Sequence, residues 1–207
     1  FSFSCPISLC EPYKIYGVLR EICYYADSYD DEFIEKFGAA HIQGPKTIPF
    51  PENSKQEAYG NYLKILEDGL QRFDQYMEKR HGNNAWYALN ITLKKIEFHA
   101  EPQGYLRTLL EKAVDGLFDG RLPFHDRLQN GKSALEKLKE LPKDQFMADL
   151  YQIETFIPYK YSGKKENIRE NWQENYEEAQ EMIDNSRFED ATNLLQSCFY
   201  NLFYYNL

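Results

Sequence analysis

Glu78 and His81 lie three residues apart, a spacing that places a carboxylate and an imidazole on one face of an α-helix. Glu97, His99 and Glu101 follow further along the chain. Carboxylates and imidazoles on facing helices bind iron in helical bundles. The sequence therefore allows a metal-dependent helical-bundle enzyme that uses Glu78, His81 and His99. A second Glu-x-x-His motif is absent, and a C-cap at the end of a helix also explains His81.

Residues 38–53 form the main irregular segment, which contains Pro45, Pro49 and Pro51. Prolines lack an amide donor and push the preceding residue towards extended backbone. A connection of this length without a helix is often functional. The sequence therefore predicts that Ile48 and Phe50 bind a partner, with insertion of both side chains into the core as the alternative.

The chain is acidic, with a formal net charge of −9 and an isoelectric point near 5.0. This charge argues against nucleic acid, whose recognition requires clustered cations, and against anionic membranes. It favours a protein or peptide partner of basic character. The predicted contacts are Asp30, Asp31 and Glu32 in the acidic run 27–32, with a second acidic face at residues 174–181.

The sequence contains no complete motif for nucleophilic catalysis or for phosphate binding. The sequence contains no G-x-S-x-G, no G-x-G-x-x-G and no Walker motif, so no cofactor is predicted. No window approaches the ~20 apolar residues of a membrane span. The four cysteines of the chain do not show metal-binding spacing, although Cys5 and Cys10 would form a disulfide in an oxidising compartment. The compartment itself stays open.

A helix from Ser54 to Gly82 is predicted to be the centre of the fold. Ser54 and Glu57 fit a capping box, and Gly82 permits a left-handed C-cap. Alternating steps of four and three separate its apolar residues, which buries one stripe against neighbouring helices. These residues are Tyr59, Leu63, Leu66, Leu70, Phe73 and Met77.

Helical periodicity also dominates the N-terminal part of the chain. A helix begins at Pro12 and has an apolar seam that extends to Ala26. The acidic run 27–32 predicts the start of a separate short helix that ends near Gly38. Residues 86–96 fit a helix, although residues 91–93 and 96–98 also alternate as a strand would.

The C-terminal half continues in the same way. Residues 102–120 fit a helix, and residues 120–131 are predicted to be a loop. Capping boxes predict helix starts at Ser133 and Ser186, and a helix is predicted between residues 144 and 157. Residues 168–183 then form the first helix of a C-terminal hairpin.

These patterns predict an all-α fold of seven or eight helices, with antiparallel helical hairpins around a long central helix. Residues 1–158 form the main domain, and residues 159–207 form a C-terminal hairpin packed on it. Acidic, aromatic-rich helical domains without a catalytic motif commonly bind other proteins. The sequence therefore favours a non-enzymatic helical interaction module, with the metal-dependent enzyme as the alternative.

Overall fold

The computed structural model describes residues 4–40, 46–154 and 163–205, which form eight α-helices and one two-stranded sheet. This confirms the predicted all-α class. The short strands β1 (Thr47–Pro49) and β2 (Tyr151–Ile153) pair with each other, and a 3-10 turn (Ile7–Leu9) precedes the first helix. The helices are α1 (Pro12–Phe37), α2 (Glu52–Glu78), α3 (Gly82–Ala100), α4 (Gly104–Phe118), α5 (Phe124–Lys139), α6 (Lys143–Ala148), α7 (Lys165–Asp184) and α8 (Phe188–Tyr204).

The described residues divide into two compact units. The first unit holds the residues up to Ile48 together with Ile153 and Glu154, and the second holds residues 49–152 and 163–205. Helix α1 belongs to the first unit, whereas α2 to α8 belong to the second. The predicted domain boundary between residues 158 and 159 lies outside the described residues and stays a prediction.

Helix α1 is one continuous helix of 26 residues, so the prediction of two helices is wrong. The apolar stripe continues at helical spacing through the acidic run, from Ala26 to Tyr29 and Phe33. The helix therefore continues through the acidic run as well. It ends as predicted at Gly38, which adopts the left-handed conformation with φ 63°. The Gly38 amide donates to the Ile34 carbonyl at 3.0 Å.

Helix α3 occupies the centre of the second unit, since α2, α4, α5 and α8 all pack on it. Eleven of its residues are buried, compared with five in α2. The central position therefore belongs to α3 rather than to the predicted helix beginning at Ser54. Four of the buried α3 side chains are polar: Asn84, Asn90, Thr92 and Lys94.

Close backbone approach holds α2 against α3. A Cβ atom on Gly69 would lie 2.1 Å from Thr92 Oγ1 and 2.6 Å from Thr92 Cγ2. These distances are far below van der Waals contact, so a larger side chain at this position requires one of the helices to move. Thr92 Oγ1 itself donates to the Ala88 carbonyl at 2.6 Å.

Prolines, rather than the predicted capping boxes, precede three helices. Pro51, Pro123 and Pro142 occupy the N-cap positions of α2, α5 and α6, and no side chain caps any of the three. Proline fixes φ near about −65°, and the ψ values of 141°, 145° and 139° at these three residues give the non-helical backbone that an N-cap needs. Ser133 instead lies inside α5, and this helix covers most of the predicted loop 120–131. Ser186 precedes α8 with φ 60° and makes no capping bond.

The predicted helix between residues 144 and 157 ends early, at Ala148. Asp149 follows it and caps α4 instead: its Oδ2 accepts from the Leu106 amide at 2.7 Å, and its carbonyl accepts from the Gln103 amide at 2.8 Å. Gly104 adopts φ 56° beside this carboxylate, where a Cβ atom would lie 2.7 Å from Asp149 Oδ1. A contact between distant segments thus ends one helix and begins another.

Candidate functional site

The three residues of the predicted metal site lie at two ends of one helix. Glu78 ends α2 and His81 immediately precedes α3, whereas His99 lies in the last turn of α3. Helix α3 has 19 residues, so its ends are roughly 28 Å apart. Metal–ligand distances are only about 2 Å. Glu78, His81 and His99 therefore do not share one ion, and the described residues contain no group of three or more potential metal ligands.

His99 has a local environment of its own. Its ring contacts that of Phe98 edge-on, with 5.0 Å between centroids. Burial, followed by the positive charge of Lys95, lowers the pKa of His99. Both effects favour the neutral imidazole at the pH of most cells.

The predicted binding residues have different environments. Ile48 in β1 is exposed, whereas Phe50 is partly buried and packs against the core of the second unit. The Phe50 amide also donates to the Leu150 carbonyl at 3.3 Å. Asp30 and Glu32 are partly buried on α1, and Glu32 accepts from Lys36 Nζ at 2.5 Å. The side chain of Asp31 lies outside the described part of the chain.

Helix α1 presents an exposed row of aromatic rings formed by Tyr29, Phe33 and Phe37, which we call the aromatic row. Ring centroids of neighbouring members are 6.4 and 5.7 Å apart. Their side chains are 48%, 52% and 73% exposed. The four-residue spacing extends the predicted seam of Ile15 and Leu19, so a single apolar stripe runs along the helix. No described residue of α1 is buried.

Helices α3 and α8 are joined by a row of polar contacts that we call the polar ladder. Asn84 Nδ2 donates to Asp190 at 2.7 Å, Asn90 Nδ2 donates to Ser197 Oγ at 2.8 Å, and Lys94 Nζ donates to Asn201. The residue numbers of partners differ by 106 or 107 throughout. The two helices therefore run parallel and in register.

Lys94 lies at one end of the polar ladder and is only 1% exposed. Its Nζ lies 4.7, 5.0 and 4.8 Å from the ring centroids of Phe118, Tyr204 and Tyr205. Ring faces attract a cation, which offsets part of the cost of removing it from water. Burial and nearby carboxylates raise the pKa of Tyr204, which keeps its hydroxyl neutral.

The opposite end of the ladder is more accessible. Asp190 accepts from Asn84 and from Arg187 Nε, each at 2.7 Å. Burial would raise the pKa of Asp190, but the hydrogen bonds from Asn84 and Arg187 outweigh it and lower the pKa. Asp190 is therefore an ionised carboxylate that already accepts hydrogen bonds from Asn84 and Arg187.

A groove of about 330 Å³ lies between α2 and α8. Helix α2 contributes Arg72, Gln75 and Tyr76 to its lining, and α8 contributes Phe188, Glu189, Thr192 and Asn193. The two helices run in opposite directions here, because Arg72 contacts Asn193 while Tyr76 contacts Glu189. The groove lies within the second unit.

Three consecutive hydrogen bonds connect the groove residues. Arg72 Nη2 donates to Asn193 Oδ1 at 2.7 Å, Asn193 Nδ2 donates to Tyr76 Oη at 3.2 Å, and Tyr76 Oη donates to Glu189 Oε1 at 2.8 Å. Asn193 is fully buried and Tyr76 nearly so. The chain of bonds runs from a cation to an anion, so the wall of the groove is polarised.

No protein-family model, no curated protein and no solved structure matches this chain. Within the part of the chain that the structure describes, none of the helices has the length and apolar character needed to span a membrane.

Sequence reasoning did not identify the residues of the ladder and the groove. One signal was present: four of the polar residues that α8 contributes to the two sites recur at every fourth position, at Glu189, Asn193, Ser197 and Asn201. This spacing places them on one face of the helix. Polar residues at helical spacing ordinarily indicate a solvated face. Here residues of α2 and α3 contact that face of α8, and two of its polar residues, Asn193 and Ser197, are buried.

Proposed function

We propose that this protein is a non-enzymatic helical interaction module that binds a protein partner through α1. The observation that carries the proposal is the exposed apolar stripe of a 26-residue helix that has no buried described residue. Monomeric proteins rarely leave a contiguous apolar surface of this kind uncovered, and such surfaces commonly mark interaction sites. An amphipathic helix of this length suits a hydrophobic groove on a partner.

The cores of the second unit support this assignment. Both clusters of buried apolar residues consist of residues from α2 to α8, with partly buried neighbours from the same unit. The described residues of α1 contribute to neither cluster. The apolar stripe of α1 therefore serves no core in the described structure, and binding of a partner is the function that it fits.

Charge specifies the partner further. Within α1 the last eleven residues, 27–37, contain five acidic residues and one lysine. Helical spacing places Asp30 and Glu32 on the two sides of the aromatic row. We therefore expect a partner whose apolar groove has a basic rim. Opposite charge at such a rim mainly increases the association rate and disfavours wrong partners.

Affinity capture with a matched pair of variants tests the proposal. Phe33→Ser/Phe37→Ser interrupts the aromatic row, whereas Tyr13→Ser/Tyr24→Ser removes two exposed rings on the opposite face of α1. Quantitative mass spectrometry of proteins captured from extracts of the source cells should show a partner that the first variant loses at least tenfold. The control variant should retain this partner.

Two further measurements make the result specific. The fluorescence of Trp86 and Trp172, both in the second unit, should be unchanged in both variants, which shows that the second unit remains folded. Raising the salt concentration should slow association with the captured partner. Equal capture by the two variants, or equal loss, contradicts binding through the aromatic row.

A further inference from the structure

We propose that the groove between α2 and α8 is a binding site for a free α-amino acid with an apolar side chain. This site is separate from α1 and goes beyond the proposed function. Its volume of about 330 Å³ is at the lower end of the range for small-molecule sites. A single amino acid fits this volume.

The polarised wall of the groove determines the charge of the ligand. Arg72 stands at the donor end of the hydrogen-bond chain and Glu189 at the acceptor end, with Asn193 and Tyr76 between them. The two charges cancel, so a ligand of either net charge would meet one attractive and one repulsive end. A zwitterion that lies with its carboxylate towards Arg72 and its ammonium towards Glu189 is attracted at both ends.

Both charged groups retain capacity for a ligand. Guanidinium carries five N–H donors, and within the described residues Arg72 uses one of them, towards Asn193. A carboxylate has about four acceptor positions, and the Tyr76 hydroxyl occupies one on Glu189. Arg72 is partly buried and Glu189 is exposed, so both charged groups are accessible to solvent.

Buried partners fix the orientation of the charges. Asn193 is fully buried. Its side-chain oxygen accepts from Arg72 and its side-chain amide donates to Tyr76, so these two bonds fix the orientation of the Asn193 side chain. Asp190 lies one residue beyond Glu189, but Asn84 and Arg187 already bind its carboxylate. Asp190 therefore does not compete with Glu189 for an ammonium group. Preorganised charges of this kind bind with little loss of side-chain freedom.

Phe188 supplies the apolar contact. Its side chain is 62% exposed at the lining of the groove. An apolar or aromatic ligand side chain that packs on this ring would remove apolar surface from water. Gln75 and Thr192 complete the lining with neutral polar groups. The ligand class that matches all these groups is an amino acid such as phenylalanine or leucine.

Calorimetry with three probes tests the charge requirement. L-phenylalanine carries both charges, N-acetyl-L-phenylalanine lacks the ammonium and L-phenylalaninamide lacks the carboxylate. We expect L-phenylalanine to bind with a dissociation constant on the order of a millimolar, as is usual for a ligand of this size. Each blocked analogue should bind at least tenfold more weakly. Absence of binding at millimolar concentration, or equal binding of the three probes, overturns the proposal.

Variants then locate the site. Arg72→Gln and Glu189→Gln remove one charge each while keeping a side chain that can hydrogen-bond to Asn193 or Tyr76. In Arg72→Gln, L-phenylalanine should lose its advantage over the amide, and in Glu189→Gln it should lose its advantage over the acetylated probe. Lys79→Gln and Glu181→Gln are the charge-matched controls on exposed positions. Binding that is unchanged in both groove variants contradicts the assignment.

Nuclear magnetic resonance gives an independent readout. The side-chain amide signal of Asn193 should shift on addition of L-phenylalanine, because the ligand contacts both charged ends of its network. Phe33→Ser/Phe37→Ser should bind L-phenylalanine as the unmodified protein does, which separates this proposal from partner binding through α1. Shifts confined to other regions of the chain overturn the groove site.

Discussion

In helices α1 and α3, the regularity of the apolar pattern in the sequence does not correspond to how deeply the helix is buried. Helix α1 has a clean apolar stripe along 26 residues, yet none of its described residues is buried. Helix α3 has eleven buried residues, and four of them are polar. A sequence pattern that is ideal for a buried helix thus occurs on the exposed one, whereas the interrupted pattern occurs at the centre of the core.

The difference shows that periodicity specifies a helix and its faces but not what covers them. Polar side chains on α3 are tolerated inside the protein because α8 supplies a hydrogen-bond partner in register for Asn84, Asn90 and Lys94. Burial of a polar group without such a partner costs several kcal/mol, about 2–7 depending on the reference. Helix α1 has the opposite condition: its apolar face is complete, and its partner is a different molecule in the function proposed above.

The same lysine substitution in the two helices provides the largest contrast. Lys94→Ala removes a fully buried side chain, its contacts with three rings and the partner of Asn201, so we expect unfolding free energy to fall by about 3 kcal/mol. Lys36→Ala removes a surface ion pair with Glu32 and should change stability by less than about 0.5 kcal/mol. Urea unfolding followed by tryptophan fluorescence measures both.

Lys94→Met refines this comparison. Methionine keeps an apolar stem of similar length, so the loss should be about half of that caused by Lys94→Ala. A loss below about 1 kcal/mol for Lys94→Ala would mean that α3 tolerates its polar residues without the ladder. A similar loss for Lys36→Ala would mean that α1 belongs to the same cooperative core.

Glycine substitutions should have opposite signs in the two units. Gly69→Ala places a methyl group 2.1 Å from Thr92 Oγ1, and we expect a net loss of about 2 kcal/mol from overpacking despite the better helix propensity of alanine. Gly17→Ala in α1 meets no atom within 4 Å and should stabilise that helix by up to about 1 kcal/mol. Urea unfolding measures the first effect.

Hydrogen exchange measures the second: amides of α1 should exchange up to about fivefold more slowly in Gly17→Ala. Thr92→Ala combined with Gly69→Ala should recover at least half of the stability lost in Gly69→Ala, since it removes the two atoms nearest to the new methyl group. Simple additivity of Gly69→Ala and Thr92→Ala would show that the two residues are not in contact in solution.

The smallest expected effect concerns the exposed end of the polar ladder. The pKa of Asp190 is lowered in the folded protein, so its ionised form contributes stability above the unfolded value of about 3.9. That contribution is lost as the pH falls through the lower, folded value. Arg187→Gln removes one of the causes and should make the stability of the second unit less dependent on pH below about 4.

Titration by nuclear magnetic resonance provides the direct check, because the pKa of Asp190 should rise in Arg187→Gln and rise further in Arg187→Gln/Asn84→Ala. Asn84 belongs to α3, so this response also tests whether the two helices meet at this position in solution. An unchanged Asp190 pKa in the double variant would show that the exposed end of the ladder does not form.

Much of the fold follows from local patterns. Apolar residues at helical spacing correctly predict helices along α2, α4, α7 and α8, and Gly38 correctly predicts the end of α1, although α1 is one helix where two were predicted. The capping boxes predicted at Ser54 and Ser133 did not mark the helix starts, because Pro51 and Pro123 occupy the N-cap positions of α2 and α5. The end of α6 depends on Asp149, whose partners in α4 lie more than forty residues away in sequence.

The candidate site could not be predicted in the same way. Arg72 and Glu189 are ordinary surface charges in the sequence, separated by well over a hundred residues. They become the two ends of one network only because α2 and α8 cross in opposite directions with Asn193 and Tyr76 between them. Likewise, His81 and His99 fitted one metal site in the sequence, but His81 precedes the first residue of α3 and His99 lies in its last turn, at opposite ends of one helix.

The sequence by itself determined the all-α class, the amphipathic faces of α1 and the acidic character of the chain, because spacing along a helix and charge are local properties. Only the tertiary structure decided that α3 is central, that Lys94 is buried and that Arg72 and Glu189 line one groove. These features depend on which distant helix supplies each hydrogen-bond partner and each apolar contact. Burial of a polar residue is a property of its partner as much as of the residue itself.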